Sequence, residues 1–277
     1  MTETTDTRIA VSIDTFVQIQ RDRRLLRELF WTLQQSAPDY LPDAFRLDFV
    51  DESYNYHEGE EKPLTADPIA ELYPSLQSSS PGFAYFTKGD PPVVSLSFYI
   101  HVGPGRARFH GDRAPLRHDA LSLIIDRELA NSASKRQRLL DVVKLLFRTC
   151  GGFFGRLGTG RLMKKELIGW GNARRLVVGN IEDGLPPPEW GFLLGPDYVK
   201  LLGAERLRLA PCEVVHEFGD RSYMLLIAEN FESLEKDQRL LDERRQRLVE
   251  HLGSEFFSYV KEARPKTVLP QFSSRTT

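Results

Sequence analysis

Pro42-Asp43, followed by Glu60, Glu61 and Lys62, is the arrangement in this chain closest to a reaction centre. Metal-dependent nucleases of the restriction type use P-D…E-x-K, in which two carboxylates hold a metal and the lysine stabilises developing charge. Those groups must converge from rigid, adjacent strands. Here Asp43 precedes a strand, and Glu60 to Lys62 fall in an acidic loop closed by Pro63. The match reads as chance, and no catalytic residue is assigned from it.

Other chemistry-bearing patterns are weaker. "CGGFFGRLGTGRLMKK" (150–165) has glycines suited to cradling an anion, but neither G-x-x-x-x-G-K-[ST] nor G-x-G-x-x-G occurs there. A helix end followed by turns explains it. His101, His110 and His118 lie near Asp112 and Asp119, yet their spacing matches no metal-ligand pattern, so no metal site is assigned. G-x-S-x-G and H-E-x-x-H are both absent. Cys150 and Cys212 lie in apolar segments and read as reduced core thiols, too few for a disulfide framework. No cofactor is implied.

The stretch "VDESYNYHEGEEK" (50–62) remains. It interleaves Asp51, Glu52, Glu58, Glu60 and Glu61 with Tyr54, Tyr56 and His57. Aromatics supply anchors and carboxylates meet a basic partner, the mixture expected of a protein-binding loop as well as of a solvated one. From Asp39 to Glu71 there are ten acidic and two basic residues, a net of −8. From Ser134 to Arg175 there are eleven basic and two acidic, a net of +9. The whole chain has a net charge of −2, which argues against a general nucleic-acid binder.

The elements that must position these residues follow from periodicity. Alternation predicts strands at 8–13, 45–50, 83–89, 93–101, 106–110 and 120–126. In the fourth, Val94, Leu96, Phe98 and Ile100 oppose Ser95, Ser97, Tyr99 and His101, so one face is expected to be solvated. Leu25, Leu26, Leu29, Phe30 and Leu33 mark a helix capped by Asp22 and stopped by Pro38. Another helix is expected near 65–76. Leu139, Leu140, Val143, Leu146, Phe147 and Cys150 mark the strongest helix, ended by Gly151-Gly152. Beyond it, strands near 153–157, 176–180, 205–209, 213–218 and 223–228 alternate with helices near 196–202 and 235–250. The last helix carries only a thin apolar seam and is expected on the surface.

These patterns predict an α+β fold with a mixed, largely antiparallel sheet and packed helices. Its 277 residues can bury roughly 70–75% of the unfolded surface, so a core needs no staples. They read as one domain spanning 1–277, with a lobe boundary near 132. "MTETTDTRIAV" lacks the basic start and apolar run of a secretion signal. No run approaches the ~20 apolar residues of a membrane span, and the expected setting is the cytoplasm, without a membrane partner.

"GLPPPEWGFLLGPDYV" (184–199) opens on three prolines that hold an extended segment, then delivers Trp190 and Gly191. Trp190 would bury its ring and need a partner for its N–H; Gly191 permits close backbone approach. This corner reads as structural. With a helix ending in Gly-Gly, "GFFGRLG", a short helix, and "CEVVHEFGDRSYMLLIAENF", it resembles the Trp-Gly-motif immunity proteins of bacterial polymorphic-toxin and type VI secretion systems. The resemblance spans roughly residues 130–260, and Phe192 departs from the small or polar residue expected after the motif. It implies a cytoplasmic α+β antitoxin that neutralises a restriction-endonuclease-fold toxin, with Trp190 and Gly191 as structural markers. The toxin-binding residues would be Asp51, Glu52, Tyr54, Tyr56, Glu58, Glu60 and Glu61, with the basic region at Arg161, Lys164 and Lys165 as the competing surface. Such a protein is not an enzyme. The partner would be a cognate effector, not nucleic acid, and a homodimer stays open. A secretion chaperone or adaptor, or a metal-dependent enzyme, are the other classes.

Overall fold

The alternation at the start of the chain becomes β1 (Ile9–Thr15), buried along its whole length. The structure is a computed structural model that describes residues 8–17, 19, 22–50, 56–65, 70, 82–90, 92–100, 119–159, 184–186, 188–219, 221–257 and 268–272. It divides into two units, Ile13–Gly152 and a second formed by Met1–Ser12 with Phe153–Thr277. Near residue 132 the chain runs from a short 3-10 turn, Arg127–Ala130, into a long helix of one unit.

In the unit Ile13–Gly152, helix α1 (Arg23–Ser36) forms because Leu25, Leu26, Leu29, Phe30 and Leu33 make one buried stripe. Asp22 caps it, its Oδ1 accepting from the N–H groups of Arg24 (2.9 Å) and Leu25 (3.0 Å). The strands β2 (Ala44–Val50), β5 (Gly82–Lys88), β6 (Val94–Ile100) and β7 (Asp119–Ile125) pair antiparallel in the order β2-β5-β6-β7. Two short strands, β3 (Tyr56–His57) and β4 (Lys62–Pro63), add to the other edge of β2. Helix α2 (Ala133–Thr149) buries Leu139, Leu140, Val143, Leu146 and Phe147, with Ser132 as its cap. Phe30, Phe86 and Phe98 stack edge to face at 5.0 and 5.4 Å in this core.

One expectation for β6 needs correcting. Val94, Leu96 and Phe98 are buried as the alternation requires, but Ser97 on the opposite face is 2% exposed and registers against the buried Ser122. Small hydroxyl side chains here permit cover on both faces, so alternation did not signal a solvated one.

In the other unit, β8 (Gly152–Thr159), β9 (Gly191–Leu194), β10 (Val214–Phe218) and β11 (Ser222–Leu226) pair antiparallel in the order β8-β9-β11-β10. Helix α3 (Pro196–Leu202) starts on its proline. Of residues 205–209, expected as a strand, 205–208 belong to helix α4 (Ala204–Arg208) and Leu209 is its C-cap. The alternation of Arg206, Leu207, Arg208 and Leu209 misleads because only Leu207 is buried, while Leu209 is 66% exposed. Ala204, Glu205 and Arg206 are good helix formers, and one inward leucine suits a single turn.

The expected last helix is two. Helix α5 (Phe231–Lys236) is capped by Asn230, and α6 (Gln238–Leu252) by Asp237, which also ends α5. Leu241, Leu248, Val249 and Leu252 form the buried seam of α6. This is an α+β fold, as the patterns predict. The elements expected near 65–76, 106–110 and 176–180 lie essentially outside the described residues. Among the described residues no helix is long and apolar enough to cross a membrane.

Candidate functional site

The acidic stretch ends in a built edge. Strand β2 is held by β3 at Phe49–His57 and Val50–Tyr56, and by β4 at Ala44–Pro63 and Phe45–Lys62. Residues 58–61 are left over between these two patches and bulge from the ladder. Their anchors lie on β2. Buried Asp48 accepts from the Gly59 N–H at 2.9 Å. Arg46 pairs with Asp48 at 2.9 Å, contacts Glu58 through a second nitrogen, and lies over the Tyr85 ring at 5.3 Å. Gly59 is obligatory: a Cβ there would sit 2.0 Å from the Leu47 carbonyl oxygen.

This scaffold fixes where the charges point. Glu58 is exposed but committed to Arg46. Glu61 accepts from the Thr87 hydroxyl at 3.3 Å, and Glu60 meets no cation or hydrogen-bond donor among the described residues. The carboxylates of Glu60 and Glu61 therefore carry the bulge's uncompensated charge. Asp51, Glu52 and Tyr54 lie outside the described residues, as does the side chain of Tyr56. The structure thus brings together Glu58, Glu60 and Glu61 of the expected set. Sequence reasoning passed over Arg46, Asp48 and Gly59. Their signal was present, since Arg46 and Asp48 stand two apart on one face of an otherwise apolar strand.

The nuclease-like residues meet a different use. Lys62 and Pro63 form a strand rather than a loop, and the Leu64 N–H bonds the Asp43 carbonyl at 2.7 Å. Pairing therefore sets Asp43 opposite Leu64, while Lys62 faces Phe45 two residues further along the strand. However, the Asp43 carboxylate receives the Gly89 N–H at 3.3 Å, tying down the β5–β6 turn. Among the described residues no three His, Cys, Asp or Glu side chains converge as metal ligands. His101, His110, His118, Arg161, Lys164 and Lys165 lie outside the described residues.

In the other unit, the Trp-Gly corner is a packed joint. Trp190 is fully buried, donates its ring N–H to the Ala228 carbonyl at 2.9 Å, and meets Phe231 edge to face at 5.2 Å. Its backbone bonds Leu157 on one side (2.9 Å) and Ile227 on the other (3.0 Å). A Cβ on Gly191 would lie 2.7 Å from the Leu225 carbonyl oxygen. Glu189, next in line, is buried and ion-paired with Arg156 of β8. From α6, Arg245 donates to the Pro188 carbonyl and Arg244 to that of Ile227, both at 2.5 Å.

Neither cysteine is poised for chemistry. Both are free thiols. Burial raises the Cys150 pKa far above its usual value and pushes Cys212 up to about 12, against a weaker opposing pull from Arg244.

No protein-family model and no curated protein matches this chain. Among solved structures it is similar to the Pseudomonas aeruginosa T6SS protein PA0821, with a TM-score of 0.53 at 13% identity. The similarity covers 87% of this chain and 72% of that one. At that identity the likeness is one of fold.

Proposed function

We propose that this chain is an immunity protein that binds a toxic effector of a type VI secretion system and occludes its active site through the acidic bulge of β2–β4. The observation that carries the reading is the pinned bulge. Asp48 and Gly59 hold residues 58–61 against β2, so the carboxylates of Glu60 and Glu61 are presented without a counter-charge among the described residues. A nuclease toxin presents a basic groove for nucleic acid, and preorganised carboxylates meet it at little ordering cost. The similarity in fold to a T6SS protein supports that setting, and the Trp-Gly corner supports the immunity class.

The test is co-production with the product of the adjacent gene in growing cells, followed by stopped-flow association of the purified pair. Growth should be protected, and Glu58, Glu60 and Glu61 changed together to Gln should slow association at low salt. The salt dependence should flatten in that variant, because the screening length is about 8 Å at physiological ionic strength. A complex that forms while leaving the effector's nuclease active would make the chain an adaptor. Protection and wild-type association by the glutamine variant would move the interface away from this bulge.

A further inference from the structure

We propose that the outward face of α1 is a second docking surface, separate from the acidic bulge, which takes an acidic segment of a partner protein ending in an apolar anchor. The inner stripe of α1 is fully used: Leu25, Leu26, Leu29, Phe30 and Leu33 are buried. The outer stripe holds Arg24, Arg27, Glu28, Trp31, Gln34 and Gln35, all exposed. Trp31 is 61% exposed, an unusual position for a large ring in a chain whose Trp190 is wholly buried. It makes no ring contact among the described residues.

The Asp22 carboxylate already serves the N-terminus of α1 as its cap, and the first turn after it has no acidic residue and carries Arg24. Arg24 and Arg27 are three apart, where like charges repel. Among the described residues neither guanidinium meets a carboxylate, and Glu28 pairs with neither. A partner carboxylate placed between them would relieve that repulsion. Arginine and tryptophan are also the residues that dominate protein interfaces when desolvated.

The order along the helix selects the occupant. Cations lie only at the N-terminal end; the ring of Trp31 follows one turn on, and uncharged amides after it. Beyond α1, Arg138 is already paired with Asp39 at 3.2 Å and adds no free cation to the stripe. Nucleic acid would need cations tracking successive phosphates over a longer path. A lipid surface would need more apolar side chains beside Trp31 and would reject Glu28. A protein segment with carboxylates at one end and an apolar side chain about 6–10 Å away fits the spacing of Arg24, Arg27 and Trp31.

The experiment titrates the full chain into a fluorescein-labelled peptide, one half glutamate-rich and the other carrying leucine and phenylalanine, read by anisotropy. Binding should weaken about ten-fold in Trp31→Ala and in the Arg24→Glu, Arg27→Glu pair, with thermal melting unchanged in both. The charge-reversed pair should also lose the salt dependence, while the Glu58, Glu60, Glu61 glutamine variant binds as wild type. Four results would overturn the proposal: no peptide binding, binding indifferent to either α1 variant, binding lost in the glutamine variant, or equal binding of a peptide with lysine for glutamate. Tighter binding of a single-stranded oligonucleotide or of phosphatidylglycerol vesicles would also overturn it, in favour of those partners.

Discussion

Arg46 and Arg156 each stand in a strand and reach a carboxylate in irregular chain, Glu58 in one unit and Glu189 in the other. The Glu58 side chain is 61% exposed and that of Glu189 is 1% exposed. Identical chemistry therefore has opposite consequences. An exposed pair contributes little to stability and stays open to solvent, whereas a buried one commits its charge wholly to the fold. The acidic bulge is a presented surface held by backbone geometry, and the Trp-Gly corner is a joint held by packing and buried polar bonds.

The largest effect that could break this contrast is at Trp190. Trp190→Ala should cost about 3–5 kcal/mol in denaturant unfolding, through the cavity beside Phe231 and the Ala228 carbonyl left without its donor. A variant that unfolds at the wild-type midpoint yet fails to bind an effector would make the corner an interface. Next comes the buried pair. Glu189→Ala should destabilise by about 3 kcal/mol, because the largely buried Arg156 guanidinium then loses its Glu189 partner. The double change Arg156→Met, Glu189→Leu should recover much of that loss. If the single and double variants unfold alike, the pair is not the connection described here.

A smaller effect belongs to pH. Burial, the largest influence, pushes the Tyr40 phenol up to about 12, with Arg138 pulling it down and Asp39 adding to the rise. Cys212 is likewise raised to about 12. Both folded values lie above the unfolded ones, so the folded state favours the neutral forms. That stability is complete below about pH 8.5, the unfolded thiol value, and is lost as pH rises toward 12. Cys212 alone should take about 1–2 kcal/mol from the unfolding free energy between pH 8 and 10, with the buried Cys150 adding a similar loss, and the fall should continue above that. A shallower alkaline fall in Cys212→Ser than in wild type would assign that share of the loss to this thiol, with Tyr40 and the buried Cys150 supplying the rest.

The same contrast explains what the sequence made legible. The stripes of α1 and α2 and the cap at Asp22 are local signals, and local sequence suffices for them. Trp190 announced its burial through its ring size and the stiff prolines before it. The inward turn of Arg244 and Arg245 was less visible, although both fall between Leu241 and Leu248 on the α6 seam. Their role depends on carbonyls of Ile227 and Pro188, which no periodicity records. The bulge was readable as acidic, but not as rigid. Its rigidity rests on an Asp48–Gly59 bond across eleven residues and on a pairing split between β3 and β4. The short α4 was hidden by an alternation that happened to fit a strand.

The smallest effect is at the exposed pair, and it sharpens the comparison most. Glu58→Gln removes the contact to Arg46 but keeps Asp48, which still holds that guanidinium at 2.9 Å. Global stability should change by no more than about 0.5 kcal/mol, as for other solvent-exposed pairs. Gly59→Ala is the counterpart, since its Cβ would sit on the Leu47 carbonyl and the bulge must lift from β2. It should cost about 1–3 kcal/mol and speed amide exchange at Gly59, whereas Glu58→Gln leaves that exchange slow. The Asp48 carboxylate would then lose the N–H of residue 59. If Glu58→Gln loosens Gly59 as much as Gly59→Ala does, the ion pair and not the backbone holds the bulge. The two arginine clusters would then differ only in exposure and not in what they hold.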